Sequence, residues 1–262
     1  MSGNIDQAPK ANYKLSPVKV IREAIKVTAE NFLSFSPAIL ITLFIQLAVF
    51  SITLKLQIPD LATSLSILKN PFAPNSSLAQ AFIMANLSCE VIIAPIYAGV
   101  CLMALRQSSG LRTSPYFFFE GLKFTVTTIF VTLVNLAIKF TLGQLSLLLL
   151  AYYSVTSSHS VLLACEKKMS VAAAMMASFK AINLRLFPIV SLYALCLVLF
   201  ILAIAFFGLG LFLVLPFFLH VKGILYRDMF GTSIIPDTFR RLWHCVAPLS
   251  GMRTSHTCPR TR

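Results

Sequence analysis

Long uncharged runs alternate with short clusters of Lys and Arg along this chain. The longest run begins at Leu186 and meets no Asp, Glu, Lys, Arg or His before His220, with Lys222 two residues later. A soluble core helix needs a polar back, so an apolar run of this length reads as membrane-embedded. The forty residues from Leu186 to Leu225 would make a helix about 60 Å long, twice the roughly 30 Å hydrocarbon core, which predicts two spans turning at Gly208 and Gly210. Six apolar segments can be drawn in all: Pro37–Leu54, Ala79–Leu105, Leu122–Ile138, Leu142–Ala164, Leu186–Phe207 and Leu211–Leu225. The fourth is the least regular, because its second half, Ser154-Val-Thr-Ser-Ser-His-Ser160, reads like a loop.

Charge placement decides in favour of six. With the N-terminus inside, 19 of the 22 basic residues fall on the cytoplasmic side and only Lys55, Lys69 and Lys139 fall outside. Merging the third and fourth segments would move 11 of those 19 outward, against the positive-inside rule. The composition agrees, being 57% hydrophobic and 12% charged, about half the charge of an ordinary soluble domain. The net charge of +13 is spread over the ends of apolar segments rather than gathered on one face, so nucleic acid is not an expected partner. No cleavable leader is recognisable before Ser36, and the first span is expected to act as an uncleaved anchor.

Each segment on the basic side opens similarly. Ser16-Pro17 predicts a helix start, with serine as cap and proline in the first turn. Val18, Ile21, Ile25 and Phe32 then fall near one face, with Lys19, Arg22 and Lys26 away from it, as expected of an interfacial helix. Ser114-Pro115 and Ser170 head similar stretches, and Asn31 before Phe32 and Pro37 resembles Asn183 before Phe187 and Pro188. The expected organisation is a tail plus amphipathic helix over 1–36, a six-span bundle over 37–226, and a basic, unstructured tail over 227–262. Membrane lipid, through anionic headgroups at the cytoplasmic face, is the expected partner. A protein partner or a second copy of the chain is also compatible with this surface.

Polar residues inside the spans are the candidate site. Glu90 sits inside the second segment, where a charge costs about 2.5–3.5 kcal/mol on insertion scales and should face the bundle. Asn86 lies one turn earlier on the same face, and Asn135, Lys139 and the serine-rich stretch with His159 are candidate partners. They could enclose a polar cavity in which Glu90 and His159 exchange protons or hold a small cation, or they could merely join helices. Pro95 with Ala94, Ala98 and Gly99 predicts a kink and a small-residue packing face. Cys89, Cys101, Cys165 and Cys196 read as small hydrophobes rather than a disulfide set. His244-Cys245 and His256-x-Cys258 lack the spacing of a zinc site. Motifs for a nucleophile, a phosphate loop or a catalytic metal are absent, so neither catalytic residues nor a cofactor is expected.

Ala94-Pro95-Ile96-Tyr97-Ala98-Gly99, Glu166-Lys167-Lys168-Met169 and Tyr226-Arg227-Asp228-x-Phe230-Gly231 carry a resemblance. With Ala173, Ser178, Asn183, Gly208-x-Gly210 and Leu215-Pro216, they resemble the YciC-like multi-pass inner-membrane proteins of bacteria. These are similar to the membrane domain joined to some glycerophosphodiester phosphodiesterases. The resemblance implies a bacterial cytoplasmic-membrane bundle and carries no catalytic residue. The expectation is therefore an all-α polytopic bundle of about six transmembrane helices with amphipathic helices on the cytoplasmic face and both termini cytoplasmic. A non-enzymatic scaffold or accessory protein is the first reading of its function. A small-solute or proton-coupled transporter using Glu90 is the alternative, to be favoured if a polar cavity joins Glu90 to the fourth span.

Overall fold

The computed structural model of the chain describes residues 16–57, 77–205 and 210–232. These residues are all helix and turn, in the order α1 Pro17–Gln57, α2 Ser77–Ser108, a 3-10 helix Pro115–Phe124, α3 Thr125–Leu145, α4 Leu147–Thr156, α5 Ser160–Glu166, α6 Val171–Asn183, α7 Leu186–Ala205 and α8 Leu211–Phe230. Five stretches are long and apolar enough to cross a membrane: Pro17–Gln57, Ala81–Ser108, Pro115–Leu145, Leu147–Glu166 and Leu186–Ala205. The chain is a multi-pass membrane protein.

The sixth apolar segment lies in α8, whose 20 residues span about 30 Å. Lys222, Arg227 and Asp228 in its second half keep it from being apolar throughout. Its surroundings account for this: Phe217, Leu219 and every residue from His220 to Tyr226 are buried, so most of its side chains meet protein rather than lipid. α1 and α2 pack against α8 and against each other, and α2 is the most buried of the five apolar helices. Close approach is built from small residues. A Cβ on Gly223 would lie 3.0 Å from the Ala104 carbonyl oxygen of α2. α2 crosses the 3-10 helix at Gly99 and Gly121, where a Cβ on either would overlap the other backbone, at the Phe118 oxygen and the Pro95 oxygen respectively.

All three serine-marked starts open helices, at Pro17, Pro115 and Val171. The helices themselves continue differently. α1 is one continuous helix of 41 residues through Asn31 and Pro37, so the amphipathic stretch and the first span form one rod with no boundary at residue 36. Val18 and Ile25 are exposed, while Val20, Ala24 and Thr28 turn inward; Val20 and Ala24 join a core cluster with Ile189 and Leu192 of α7 and Ile224 and Leu225 of α8. α6, by contrast, stops at Asn183 and the chain turns before α7. The similarity between Asn31 and Asn183 is therefore not one of structure: Leu184 and Arg185 supply a turn that α1 lacks.

The boundary expected at 227 also moves, because α8 continues to Phe230 and its end is held by side chains. Arg227 pairs with Glu23 of α1 at 2.7 Å and with its neighbour Asp228, and donates to the Ser108 carbonyl at the end of α2. That contact satisfies one of the carbonyls a helix end leaves without a partner. Lys167 Nζ donates to the Phe230 carbonyl at 2.7 Å, and the Tyr226 hydroxyl donates to Glu166 at 2.7 Å. Burial pulls the Lys167 ammonium below its ordinary pKa, with Glu166 acting the other way. The expectations for 233–262, including the histidine and cysteine pairs, lie outside the described residues, as does Lys69.

Candidate functional site

A polar cavity of about 530 Å³ opens within the bundle between α1, α2, α3, the α4–α5 break, α7 and α8. α2 contributes Asn86, Glu90 and Tyr97, three positions at spacings of four and seven that a helix places on one face. α3 contributes Thr132, Asn135 and Lys139 at the same kind of spacing, α1 contributes Gln46, and α8 contributes Phe218 and Lys222. Glu90 and Tyr97 are seven residues apart, so the polar lining extends about 10 Å along α2.

Glu90 is neither deeply buried nor alone. Its carboxylate lies 3.5 Å from Lys139 Nζ, and the two side chains keep 44% and 31% of their surface exposed. The pair brings opposite charges together on the cavity wall. Lys222 is in a different position, as a residue only 7% exposed. Its Nζ donates to the Tyr97 hydroxyl at 3.0 Å and stands 5.1 Å from the centre of that ring. Among the described residues no carboxylate lies within ion-pair distance of it.

The fourth apolar stretch is broken where it meets the cavity. α4 ends at Thr156 and α5 begins at Ser160, and Ser154, Ser157, Ser158 and Ser160 all line the cavity. Neighbouring side chains tie the break down. Ser178 Oγ donates to the Thr156 carbonyl at 2.7 Å and Tyr193 donates to Ser158 Oγ at 2.9 Å. The Asn135 amide donates to Ser160 Oγ at 3.1 Å and its carbonyl accepts from Tyr153 at 3.0 Å. Irregular backbone inside a membrane protein is tolerated where surrounding protein satisfies it, and the Ser178, Tyr193 and Asn135 side chains provide such partners here.

Of the sequence-derived candidates, Asn86, Glu90, Asn135 and Lys139 are brought onto this one cavity. His159 is not. It is fully buried on the far side of the break, against the rings of Tyr226 and Phe230 with centroids 6.0 and 6.3 Å away, and neither ring nitrogen has a hydrogen-bond partner among the described residues. The geometry offers no direct proton path from Glu90 to it. Gln46, Thr132, Tyr193 and Lys222 also line the cavity and were not singled out as site residues by sequence. Lys222 carried the one usable signal, a cation placed before the end of an apolar segment rather than after it.

A second polar cluster lies apart from the cavity. His220 Nδ1 is 3.0 Å from Thr28 Oγ1 and its Nε2 is 2.9 Å from Gln107 Oε1. The Gln107 amide nitrogen donates to Thr113 Oγ1 at 2.7 Å, which leaves its oxygen to accept and assigns a proton to His220 Nε2. This chain of bonds joins α1, α8, α2 and the loop after α2, with Thr28, His220 and Gln107 buried and Thr113 half-buried. It is a structural link, because every member is paired.

The four described cysteines, Cys89, Cys101, Cys165 and Cys196, are buried and free. No group of three or more His, Cys, Asp or Glu residues able to hold a metal occurs among the described residues. No protein-family model, curated protein or solved structure matches the chain.

Proposed function

We propose that this multi-pass membrane protein is a carrier for a small polar solute, which occupies the cavity bounded by Glu90, Lys139 and the α4–α5 break. The observation that carries this reading is the cavity itself: an intramembrane carboxylate, 44% exposed, continuous with the polar face of a broken helix. A carboxylate that only joined helices would be enclosed by them, and a scaffold has no use for a cavity of about 530 Å³ that carries charged and hydroxyl side chains among its apolar ones. Broken helices lining a site deep in the membrane are a recurrent device of secondary transporters, since they expose backbone and short polar side chains where a continuous helix would not. The reading is non-enzymatic. The arrangement of both termini in the cytoplasm, and the bacterial inner membrane as its place, belong to the same proposal and rest on the charge distribution and the YciC-like resemblance.

The scaffold reading retains one favourable observation. α6 and the turn after it expose Met176, Phe179 and Leu184 beside Lys180 and Arg185, a mixture suited to a headgroup boundary with anionic lipid. This surface is compatible with a carrier too, and so does not separate the two.

Proteoliposomes containing the full chain, offered labelled amino acids, organic acids and sugars in turn, provide the test. At least one class should accumulate, and Glu90→Gln should reduce that uptake by about tenfold or more while the protein stays folded and inserted, as an intramembrane carboxylate at a transport site requires. Equal uptake by wild type and Glu90→Gln, or none for any class, would return the chain to the scaffold reading.

A further inference from the structure

We infer that the solute held in this cavity is a small, water-soluble anion, a carboxylate or phosphate of low molecular weight, and that Lys222 is the residue that binds its charge. The inference rests on the carrier reading and adds the ligand's charge to it. Three charged groups line the cavity: Glu90, Lys139 and Lys222. Glu90 and Lys139 cancel one another across 3.5 Å, so the lining keeps one net positive charge, and that charge sits on Lys222. The residue is 93% buried, with the Tyr97 hydroxyl as its hydrogen-bond partner. An ammonium has three protons to donate. A buried charge is costly unless something of opposite sign and matching hydrogen bonds faces it, and among the described residues no carboxylate does so. A small anion supplies both, and the hydroxyls of Ser157 and Ser158 with the phenol of Tyr193 share the same lining.

The two charged positions also divide the work. Lys222 attracts the anion, while Glu90, paired with Lys139 at 3.5 Å, keeps that lysine from becoming a second binding cation. Removing the carboxylate should therefore strengthen anion attraction and slow release, whereas removing Lys222 should abolish it.

Charged thiol reagents measure the inference directly. Ser154 lines the cavity, so Ser154→Cys is placed in a full-length chain whose six native cysteines are replaced by alanine. Its rates with an anionic and a cationic methanethiosulfonate are each divided by the rate with a free small thiol. The anionic reagent should be favoured by about tenfold, the scale of one unit charge acting across several ångströms at an effective dielectric near 20. Lys222→Gln should remove the preference, Lys222→Arg should keep it, and Glu90→Gln should enlarge it. Sodium acetate or sodium phosphate at fixed ionic strength should slow the labelling, and choline chloride or glucose should not.

Equal normalised rates that Lys222→Gln leaves unchanged would overturn the anionic ligand while leaving the cavity in place, as would protection by glucose alone. Protection by phosphatidylglycerol in place of the soluble anions would overturn a soluble ligand in favour of a lipid headgroup. Failure of both reagents to reach Ser154→Cys would sink the carrier reading along with the inference.

Discussion

α7 and α8 come from the same uninterrupted apolar run and have opposite fates. α7 is the most apolar of the five apolar helices, yet only 22% of its most apolar stretch is buried. α8 carries His220, Lys222, Arg227 and Asp228 and is enclosed over nearly its whole second half. The two form a hairpin closed by contact at Gly210, where a Cβ would meet Ala203 of α7 at 2.8 Å. In a soluble protein the more apolar of two helices is ordinarily the more buried. In a membrane the relation can reverse, because lipid solvates apolar side chains as well as protein does, while polar ones need protein partners. High hydropathy in this chain thus marks the lipid-facing wall, and a few polar residues within an apolar run mark the interior.

Removing one leucine from each helix tests this reversal most directly. Leu225→Ala on α8 takes away a fully buried side chain packed with Ile189 and Val20, and should cost about 2–5 kcal/mol. Leu197→Ala on α7 removes a side chain that is 61% exposed, and should cost under about 0.5 kcal/mol, as surface changes do. Unfolding midpoints of the purified protein in a mild detergent distinguish the two. Similar losses would mean that α7 is covered by something other than lipid.

A smaller effect is expected at the polar link. His220→Leu leaves the Thr28 hydroxyl and the Gln107 carbonyl facing an apolar side chain, which should cost about 1–3 kcal/mol. Adding Thr28→Val and Gln107→Leu should recover part of that loss, because the stranded groups are gone. A triple variant less stable than the sum of its parts would show that the cluster does more than satisfy itself.

The smallest effect belongs to the end of α8. Arg227→Gln gives up the contacts to Glu23, Asp228 and the end of α2, but these side chains are about a quarter to a third exposed. Solvent screening limits the loss to about 1 kcal/mol, and it should shrink further in high salt. A loss above that at Leu225 would make this collar, rather than the apolar contact, the principal anchor of α8.

The serine-headed helix starts and the small-residue face around Gly99 were legible because helix entry and close packing depend on residue type and local spacing, although Ser114 and Ser170 stand at their helix starts without a side-chain capping bond. Glu90, Asn86, Asn135 and Lys139 could be singled out because a polar group in an apolar run costs too much to be placed at random. Gln46 escaped because nothing local marks it, and Lys222, although its place before the end of an apolar segment was a local sign, has its partner Tyr97 on another helix, which only packing supplies. His159 was selected for its type, and its exclusion is due to the direction in which the α4–α5 break turns it.

Residue order alone establishes that the chain enters a membrane several times, since transfer of apolar side chains is nearly additive and each run counts independently. It also establishes which positions need partners. Tertiary packing decides that α1 continues without a break past residue 36, that α8 lies inside and α7 outside, and that one carboxylate and two lysines share a cavity. Those outcomes depend on which helices meet and at what rotation, and contacts between residues as distant as Tyr97 and Lys222 are set by packing that no local pattern encodes.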